Sequence, residues 1–377
     1  MSLSNHGTAQ PPSRPAAERR SKGAQAAGQP AALLAALRAA AEPTRLRLLA
    51  LLAEGELAVG EIAHVLNQSQ PRISRHLRLL AEAGMIERVP EGAWVFYRLA
   101  TDDAGKKDGR ALGRWIAAAI APGQNPFALD RARLASVRQE RGRAAARYFR
   151  ANAKNWDSLR RLHADDTQVE HTLARLLAGP DGRQPLGDLL DLGTGTGRML
   201  EVLGPLAARA EGVDLSHDML TLARAGLARA GLAHCSVRQG DLYCLPYAAQ
   251  SFDAAVVHQV LHFLDAPAEA VAEAARVLRP GGRLAIADFA PHDIEELRER
   301  HAHRRLGFAE DDVARWCRDA GLDVAGIARI PGQPLTVTIW LARRPKPGDV
   351  PAAPARWTVR PGNARTKRAD LAQESPP

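Results

Sequence analysis

Long apolar runs are missing from this 377-residue chain. No stretch approaches the roughly 18 residues that a membrane-crossing helix needs. The first residues lack a signal-type apolar core, so the expectation is a cytoplasmic protein with no membrane partner. Cysteine is scarce as well. Cys235, Cys244 and Cys317 are scattered and odd in number, which argues against a disulfide framework. What is present is ordinary globular material, 46% hydrophobic and 25% charged, in a chain long enough for two domains with separate cores. The net charge of +9 suggests nucleic acid until it is located. Residues 1–30 carry four basic side chains against Glu18, and residues 343–377 carry eight against three acidic ones. The excess sits mostly in the two ends, where it can touch phosphates without specificity. DNA binding therefore has to be argued from a motif.

Composition and punctuation divide the chain. Residues 1–30 and 343–377, poor in large apolar side chains and rich in Ala and Pro or Pro and Arg, read as a disordered arm and a disordered basic tail. Residues 31–125 read as helices followed by a hairpin, and residues 126–180 as a helical connector with seven arginines between Arg131 and Arg150. Residues 181–342 alternate short apolar strands with helical segments, the signature of a parallel sheet wrapped by helices.

In the first of these regions Glu42-Pro43-Thr44 opens a helix with proline in its first turn. The segment VGEIAHVLNQSQPRISRHLRLLAEAGMIERV then reads as helix, turn, helix, strand. Ile62, Ala63 and Leu66 face inward, Ser69 caps the second helix ahead of Pro71, and Ile73, Leu77 and Leu80 recur every three to four residues. Glu91-Gly92 turns a hairpin. The outward set is Ser69, Gln70, Arg72, Ser74, Arg75, His76 and Arg78. Gln70, Arg72 and Ser74 suit base edges, while Arg75 and Arg78 suit phosphates. A solvated basic face would explain the residues of an isolated helix, but the turn, the cap, the glycine stop and the hairpin together point to a reading head. The stretch from Glu42 to Leu99 resembles the ArsR/SmtB family of winged-helix repressors. The resemblance implies a homodimer on double-stranded operator DNA, with repression relieved by a ligand. Metal-sensing members place cysteines within the segment ELAVGEIA, where this chain has Ala58 and Gly60, and no metal-ligand cluster follows the hairpin. No metal site is expected.

In the second half LGDLLDLGTGTGRMLEVL reads as a buried strand, a glycine loop (Gly193, Gly195, Gly197) and a helix start. The G-x-G-x-G spacing, preceded by Asp191, suits a ligand without a pyrophosphate, unlike the dinucleotide fingerprint. Three further strand ends follow in order. Asp214, with Leu215 beside it, can hold ribose hydroxyls. Asp241, beside Leu242, can accept from an adenine amino group. His258 ends a fourth strand. Any one acid is a commonplace surface or capping residue, but four such elements at successive strand ends are a ligand site. The order resembles class I S-adenosylmethionine-dependent methyltransferases of the ubiquinone and menaquinone biosynthesis type. That likeness implies S-adenosyl-L-methionine as cofactor, a Rossmann-like seven-stranded sheet with an antiparallel last strand at 335–344, and an aromatic lead-in (Tyr148, Phe149, Trp156) closing over the cofactor. His258 and His262 are candidate general bases, needed only where an acceptor holds its proton near neutral pH.

The expected architecture is multidomain, a mainly α winged helix-turn-helix followed by an α/β methyltransferase domain. The fusion leaves three readings open. The second half senses S-adenosylmethionine or S-adenosylhomocysteine and adjusts operator binding, or it methylates a small-molecule acceptor, or it is a scaffold. Intact ligand-end residues count against the scaffold, and the sequence leans toward regulation.

Overall fold

A computed structural model describes residues 31, 33–100, 107–121, 123–153, 156, 166–179, 184–349, 354–359 and 371–373. The arm expected over 1–30 lies outside them. The chain divides into two compact units, Met1–Val89 with Val95–Leu134, and Pro90–Trp94 with Ala135–Pro377.

The first unit begins with a helix over residues 33–40 (α1) and α2, Pro43–Ala53, whose first turn is closed by the Glu42 carboxylate accepting from the Arg45 N–H. The strand β1, Leu57–Ala58, leads into α3, Val59–Leu66, and α4, Gln70–Glu82. Asn67 ends α3 at a φ of 53°, a left-handed conformation that asparagine tolerates better than most residues. Ile62, Ile73, Leu77 and Leu80 are fully buried, which seats α3 and α4 on one small core. The hairpin of β2, Ile86–Glu91, and β3, Trp94–Leu99, closes on β1 in the order β1-β3-β2. Next comes α5, Lys107–Ala119, which packs against α2. The 26-residue α6, Phe127–Asn152, follows. Its first turn is tied into this unit by a bidentate pair in which Arg47 Nε and Nη2 donate to the two Asp130 carboxylate oxygens at 2.6 Å each. Asp130 is 2% exposed.

The second unit is built on α7, Asp166–Leu177, and a nine-stranded sheet in the order β12 (Leu371–Gln373), β11 (Ala355–Val359), β9 (Asp323–Ile330), β10 (Val337–Arg343), β8 (Leu278–Phe289), β7 (Phe252–His258), β4 (Asp188–Leu192), β5 (Arg209–Asp214) and β6 (Cys235–Gln239). Strands β4 (Asp188–Leu192), β5 (Arg209–Asp214), β6 (Cys235–Gln239), β7 (Phe252–His258) and β8 (Leu278–Phe289) run parallel. Between them lie α8 (Arg198–Leu203), α9 (His217–Arg229) and α10 (Pro267–Val277). The near-continuous apolar strands follow from burial on both faces. Leu189, Ala254, Val256 and Ala285 face one hydrophobic cluster, while Leu190, Ala255, Val257 and Leu284 face the other. After α11 (Glu296–Arg300) and α12 (Glu310–Asp319), strand β10, Val337–Arg343, inserts antiparallel between β8 and β9, Asp323–Ile330.

The seven strands from β9 to β6 realise the expected Rossmann-like architecture, but the sheet goes on. Residues 343–377 were expected to be a disordered tail. Within them β11, Ala355–Val359, pairs parallel with β9, and β12, Leu371–Gln373, pairs antiparallel with β11. The rest of that segment lies outside the described residues. Trp357 is the physical reason for the difference. Its ring lies where a side chain on Gly326 would stand, 2.2 Å from the position of a Cβ there, and it packs on the sheet's hydrophobic cluster. One large aromatic anchors a strand whose proline and arginine content alone reads as tail.

Removing Asp130 strands the Arg47 guanidinium in a partly buried setting. Asp130→Ala is expected to destabilise the first unit by about 3–5 kcal/mol, read as a lowered midpoint in chemical denaturation followed by a probe within residues 31–134.

Candidate cofactor pocket and nucleic-acid interface

A cavity of about 330 Å³ opens at the carboxyl ends of the parallel strands, within the range of roughly 300–1,000 Å³ usual for small-molecule sites. Its floor is the glycine loop after β4. Gly193 and Thr194 both donate their N–H to the Val213 carbonyl, at 2.8 and 3.0 Å, which folds the loop onto the end of β5. Gly193, Gly195 and Gly197 all have positive φ, at 76°, 52° and 87°. At Gly193 the need is also steric, since a Cβ would stand 2.5 Å from Val260. Asp191, 1% exposed, accepts from Thr194 Oγ1 at 2.6 Å. Asp214 accepts from the Gly195 N–H at 2.9 Å and the Ser216 N–H at 2.8 Å. Burial pushes the Asp214 carboxyl above the ordinary carboxylate range, against the N–H donors of Ser216, Gly195 and Leu215 that draw it down.

The opposite wall comes from the C-terminal half of α6. Gly142, Ala145, Ala146 and Phe149 line the cavity at the i, i+3, i+4, i+7 spacing of one helix face. Three small residues in that row let the helix lie close. Ion pairs hold it there: Arg141 to Asp265 at 3.1 Å and Arg150 to Asp218 at 3.1 Å. Tyr148 Oη meets His301 Nδ1 at 2.9 Å. Phe149, Trp156 and Phe263 complete the wall as edge-on rings, 4.9 Å between the Phe149 and Phe263 centroids and 5.3 Å between Phe149 and Trp156.

Of the ten sequence candidates for cofactor binding, nine line this cavity: Asp191, Gly193, Gly195, Asp214, Leu215, Asp241, Leu242, His258 and Trp156. Gly197 does not. It caps α8, and a Cβ there would meet the Ala223 side chain at 3.0 Å. His262 is not among the lining residues either, although its ring centroid is 4.0 Å from that of Phe263, which is. It is 2% exposed and its Nδ1 is 2.7 Å from Asp288 Oδ1, with its ring tilted at 30° to that of His303, 4.1 Å away between centroids. Sequence reasoning missed Arg198, Gln259, Phe263 and Asp265. Their only signal was position just after a strand or loop already singled out.

The fit of S-adenosylmethionine rests on the donor set. A buried acid, Asp191, stands near the end of β4 and a partly buried one, Asp214, at the end of β5; a third acid follows β6, and glycines leave the backbone bare between them. Asp214 would hold the ribose hydroxyls, Asp191 the ammonium group and Asp241 the adenine amino group.

In the first unit Ser69, Gln70, Arg72, Ser74, Arg75 and Arg78 are all exposed along α4. His76 is not part of that surface. It lies three residues after Ile73 and four before Leu80, at the edge of the buried face, and its side chain is 14% exposed with Nδ1 3.5 Å from the Glu42 carboxylate. Burial pulls its pKa down despite Glu42. A groove beside the start of α4 is lined by His64, Asn67, Ser69, Gln70 and Arg133. Arg133, from α6, donates to the Val65 carbonyl at 3.2 Å, at the end of the helix preceding the turn. Among the described residues no group of three or more His, Cys, Asp or Glu could hold a metal ion, and no helix is long and apolar enough to cross a membrane.

Residues 42–88 match the family of bacterial regulatory proteins, arsR family, and residues 190–286 match the methyltransferase domain family. The chain is 30% identical over 168 residues to a ubiquinone biosynthesis O-methyltransferase of Aromatoleum aromaticum, covering 39% of this chain and 69% of that protein. It is 51% identical over 61 residues to the arsenical resistance operon repressor of Escherichia coli, covering 16% of this chain and 52% of that one. It is also 33% identical over 162 residues to an uncharacterized 37.1 kDa protein in transposon TN4556 of Streptomyces fradiae, covering 39% and 46%. The chain spans about half the length of these last two relatives.

Two outcomes follow from this geometry. Arg72→Ala is expected to cost about 1–3 kcal/mol on a specific DNA site, whereas Arg78→Ala should weaken all DNA alike and flatten the salt dependence. Fluorescence anisotropy at several salt concentrations separates the two. Burial, with His262 next in weight, pulls His292 down to about 4 from its ordinary 6.5. The fold thus holds this imidazole neutral. The stability it contributes is present above pH 6.5 and is lost as the pH falls toward about 4. His292→Gln should flatten that acid slope in denaturation midpoints measured across the same window.

Proposed function

The chain belongs to the methyltransferase family that includes the ubiquinone biosynthesis O-methyltransferases and carries an arsR-family regulatory domain ahead of it, and on that premise we propose that it is a DNA-binding transcriptional regulator whose second unit binds S-adenosylmethionine or S-adenosylhomocysteine and couples that binding to operator affinity. One observation carries the reading: α6 serves both units. Its first turns hold Arg47 through Asp130 and reach the Val65 carbonyl through Arg133, while its last turns line the cavity. A ligand that favours one position of Phe149 and Arg150 acts on the same helix that braces the approach to α4. Coupling of this kind is usually about 1–3 kcal/mol, or roughly 5–150-fold.

The regulator acts as a homodimer on double-stranded DNA. Leu33, Leu34 and Leu37 on α1 and Trp115 on α5 are 43%, 52%, 44% and 67% exposed, an apolar surface suited to a second copy.

Methyl transfer to a small molecule is the second reading. It is favoured by His258, which ends β7 and lines the cavity. S-adenosylmethionine, when bound, supplies a methyl group already activated on a sulfonium. The residues then have to orient an acceptor and exclude water.

Operator titrations with and without saturating S-adenosylhomocysteine test the coupling. Operator affinity should shift by the same factor as ligand affinity shifts when operator is added. Asp214→Ala should weaken the ligand about tenfold or more and abolish the shift. Two glycines inserted after Gln139, within α6, should leave both binding events and remove the link between them. Operator binding that ignores the ligand in the wild-type protein, with the ligand still bound, would leave methyl transfer as the better reading.

A further inference from the structure

The charged groups around the cavity are engaged with one another. Arg198 donates to Glu170 at 2.6 Å and Arg150 to Asp218 at 3.1 Å. Asp265, which lines the cavity, takes Arg141 and, at 2.8 Å, Arg304. Arg304 differs from the other cations because its neighbour in the chain reaches elsewhere. Arg305 Nε lies 2.9 Å from the carboxylate of Glu91, at the end of β2. That acid also accepts from Arg298 Nη2 at 2.5 Å and from the Leu306 N–H at 2.6 Å. The Ala93 N–H donates to Glu295 Oε1 at 2.6 Å, and the Arg298 guanidinium lies over the Trp94 ring at 5.1 Å. At Gly92 the φ is 55°, and a Cβ would stand 2.0 Å from that same Glu295 oxygen. The turn Pro90–Trp94 thus belongs with the second unit, although the strands that carry it belong to the first.

The side chains of Glu91, Arg298 and Arg305 are 11%, 7% and 10% exposed, so they answer one another rather than water. An acid in the turn of a hairpin that follows a basic helix is also the wrong sign for a DNA phosphate. Its three donors all come from residues 298–306. The turn is built to dock on that segment. Residues 295–306 in fact grip three elements at once. Arg304 holds the cavity wall at Asp265, Arg305 and Arg298 hold Glu91, and His301 Nδ1 meets Tyr148 Oη of α6. The N–H groups of Arg304 and Arg305 both donate to the His262 carbonyl, at 2.8 and 3.1 Å, which fixes the backbone between the grips. Adjacent residues leave no slack.

We propose that the segment 295–306 is a latch that carries ligand occupancy of the cavity to the hairpin turn, tightening its hold on Glu91 when the cavity is filled. This rests on the reading of the cavity as a cofactor site. The sign follows from screening. The Asp265 side chain is 20% exposed, and a guest that covers it takes water away from the pair with Arg304. An ion pair in a lower dielectric is stronger, so Arg304 is held more firmly and Arg305 with it. The turn is then a second attachment beside α6. Coupling needs both, because a body tied at one point is free to turn about it.

Amide hydrogen exchange in the full chain, read by mass spectrometry on peptides spanning residues 86–99, tests the latch. S-adenosylhomocysteine is the ligand, at a concentration that saturates each variant. In the wild type it should slow exchange of the hairpin about fivefold or more. Arg304→Gln, which frees the cavity wall from the latch, should bind the ligand yet lose the slowing. Glu91→Gln should exchange faster than the wild type without ligand and show no slowing with it. Arg300→Gln lies on the same segment but is paired at the surface with Glu296. It should behave as the wild type, which separates the latch from a general loosening of the segment. The proposal is overturned if the wild-type hairpin exchanges equally with and without bound ligand, or if either latch variant is slowed as the wild type is. Slowing in the wild type without a shift in operator affinity upholds the latch and removes the regulatory reading. A wild type that does not bind S-adenosylhomocysteine overturns the cofactor reading and this proposal with it.

Discussion

Everything in the second unit depends on how closely bare backbone can approach side chains at the end of β4. A Cβ on Gly193 would stand 2.5 Å from Val260, and one on Gly212, inside β5, would stand 2.5 Å from Thr194. These two absences let the ends of three neighbouring strands, β5, β4 and β7, converge on one loop. Asp191 and Asp214 then reach the same cavity although they sit on different strands. The hydrogen bonds from Gly193 and Thr194 to Val213 are a result of that approach and also fix it. A side chain at either glycine would open the strand ends before it touched any ligand.

The parts of the molecule that were legible in the sequence are those governed by period and punctuation. The buried spacing of Ile73, Leu77 and Leu80 sets α4, and the strand-and-acid rhythm from Asp191 to His258 sets the floor of the cavity. Residues whose role depends on which turn of a helix meets which wall were not legible. His76 lies among basic residues yet faces Glu42, because a single helical position decides between groove and core. His262 sits four residues beyond His258, in a short 3-10 turn, Leu261–Phe263, rather than on the strand. That turn carries it to Asp288 and out of the cavity lining. Gln259 has no motif at all, and only the three-dimensional lining of the cavity brings it out. Trp357 illustrates the opposite error, one apolar residue outweighing a disorder-like composition around it.

The electrostatics of the cavity show a consistent economy. Each arginine at its rim meets a carboxylate, so the pocket offers a ligand donors and acceptors with little unopposed charge. For S-adenosylmethionine, itself charged at sulfur and amine, acids at the strand ends match the ligand while the paired arginines avoid repelling it. Asp214, raised by burial and drawn down by three N–H groups, is held by the loop it also organises. The acid that would recognise ribose is thus part of the loop's own hydrogen bonding, and loop order and ligand affinity are expected to change together.

The added strands past Arg343 alter the molecule's behaviour in company. Without them β9 would present eight residues, Asp323–Ile330, as an open ladder of unpaired backbone groups. Such an edge invites pairing with any passing extended chain. With β11 laid against β9 and β12 against β11, the exposed margin on that side is a strand of three residues, too short to template a neighbour. These two strands, which are not among the residues lining the cavity, can in this way keep that margin of the sheet from pairing with a passing chain.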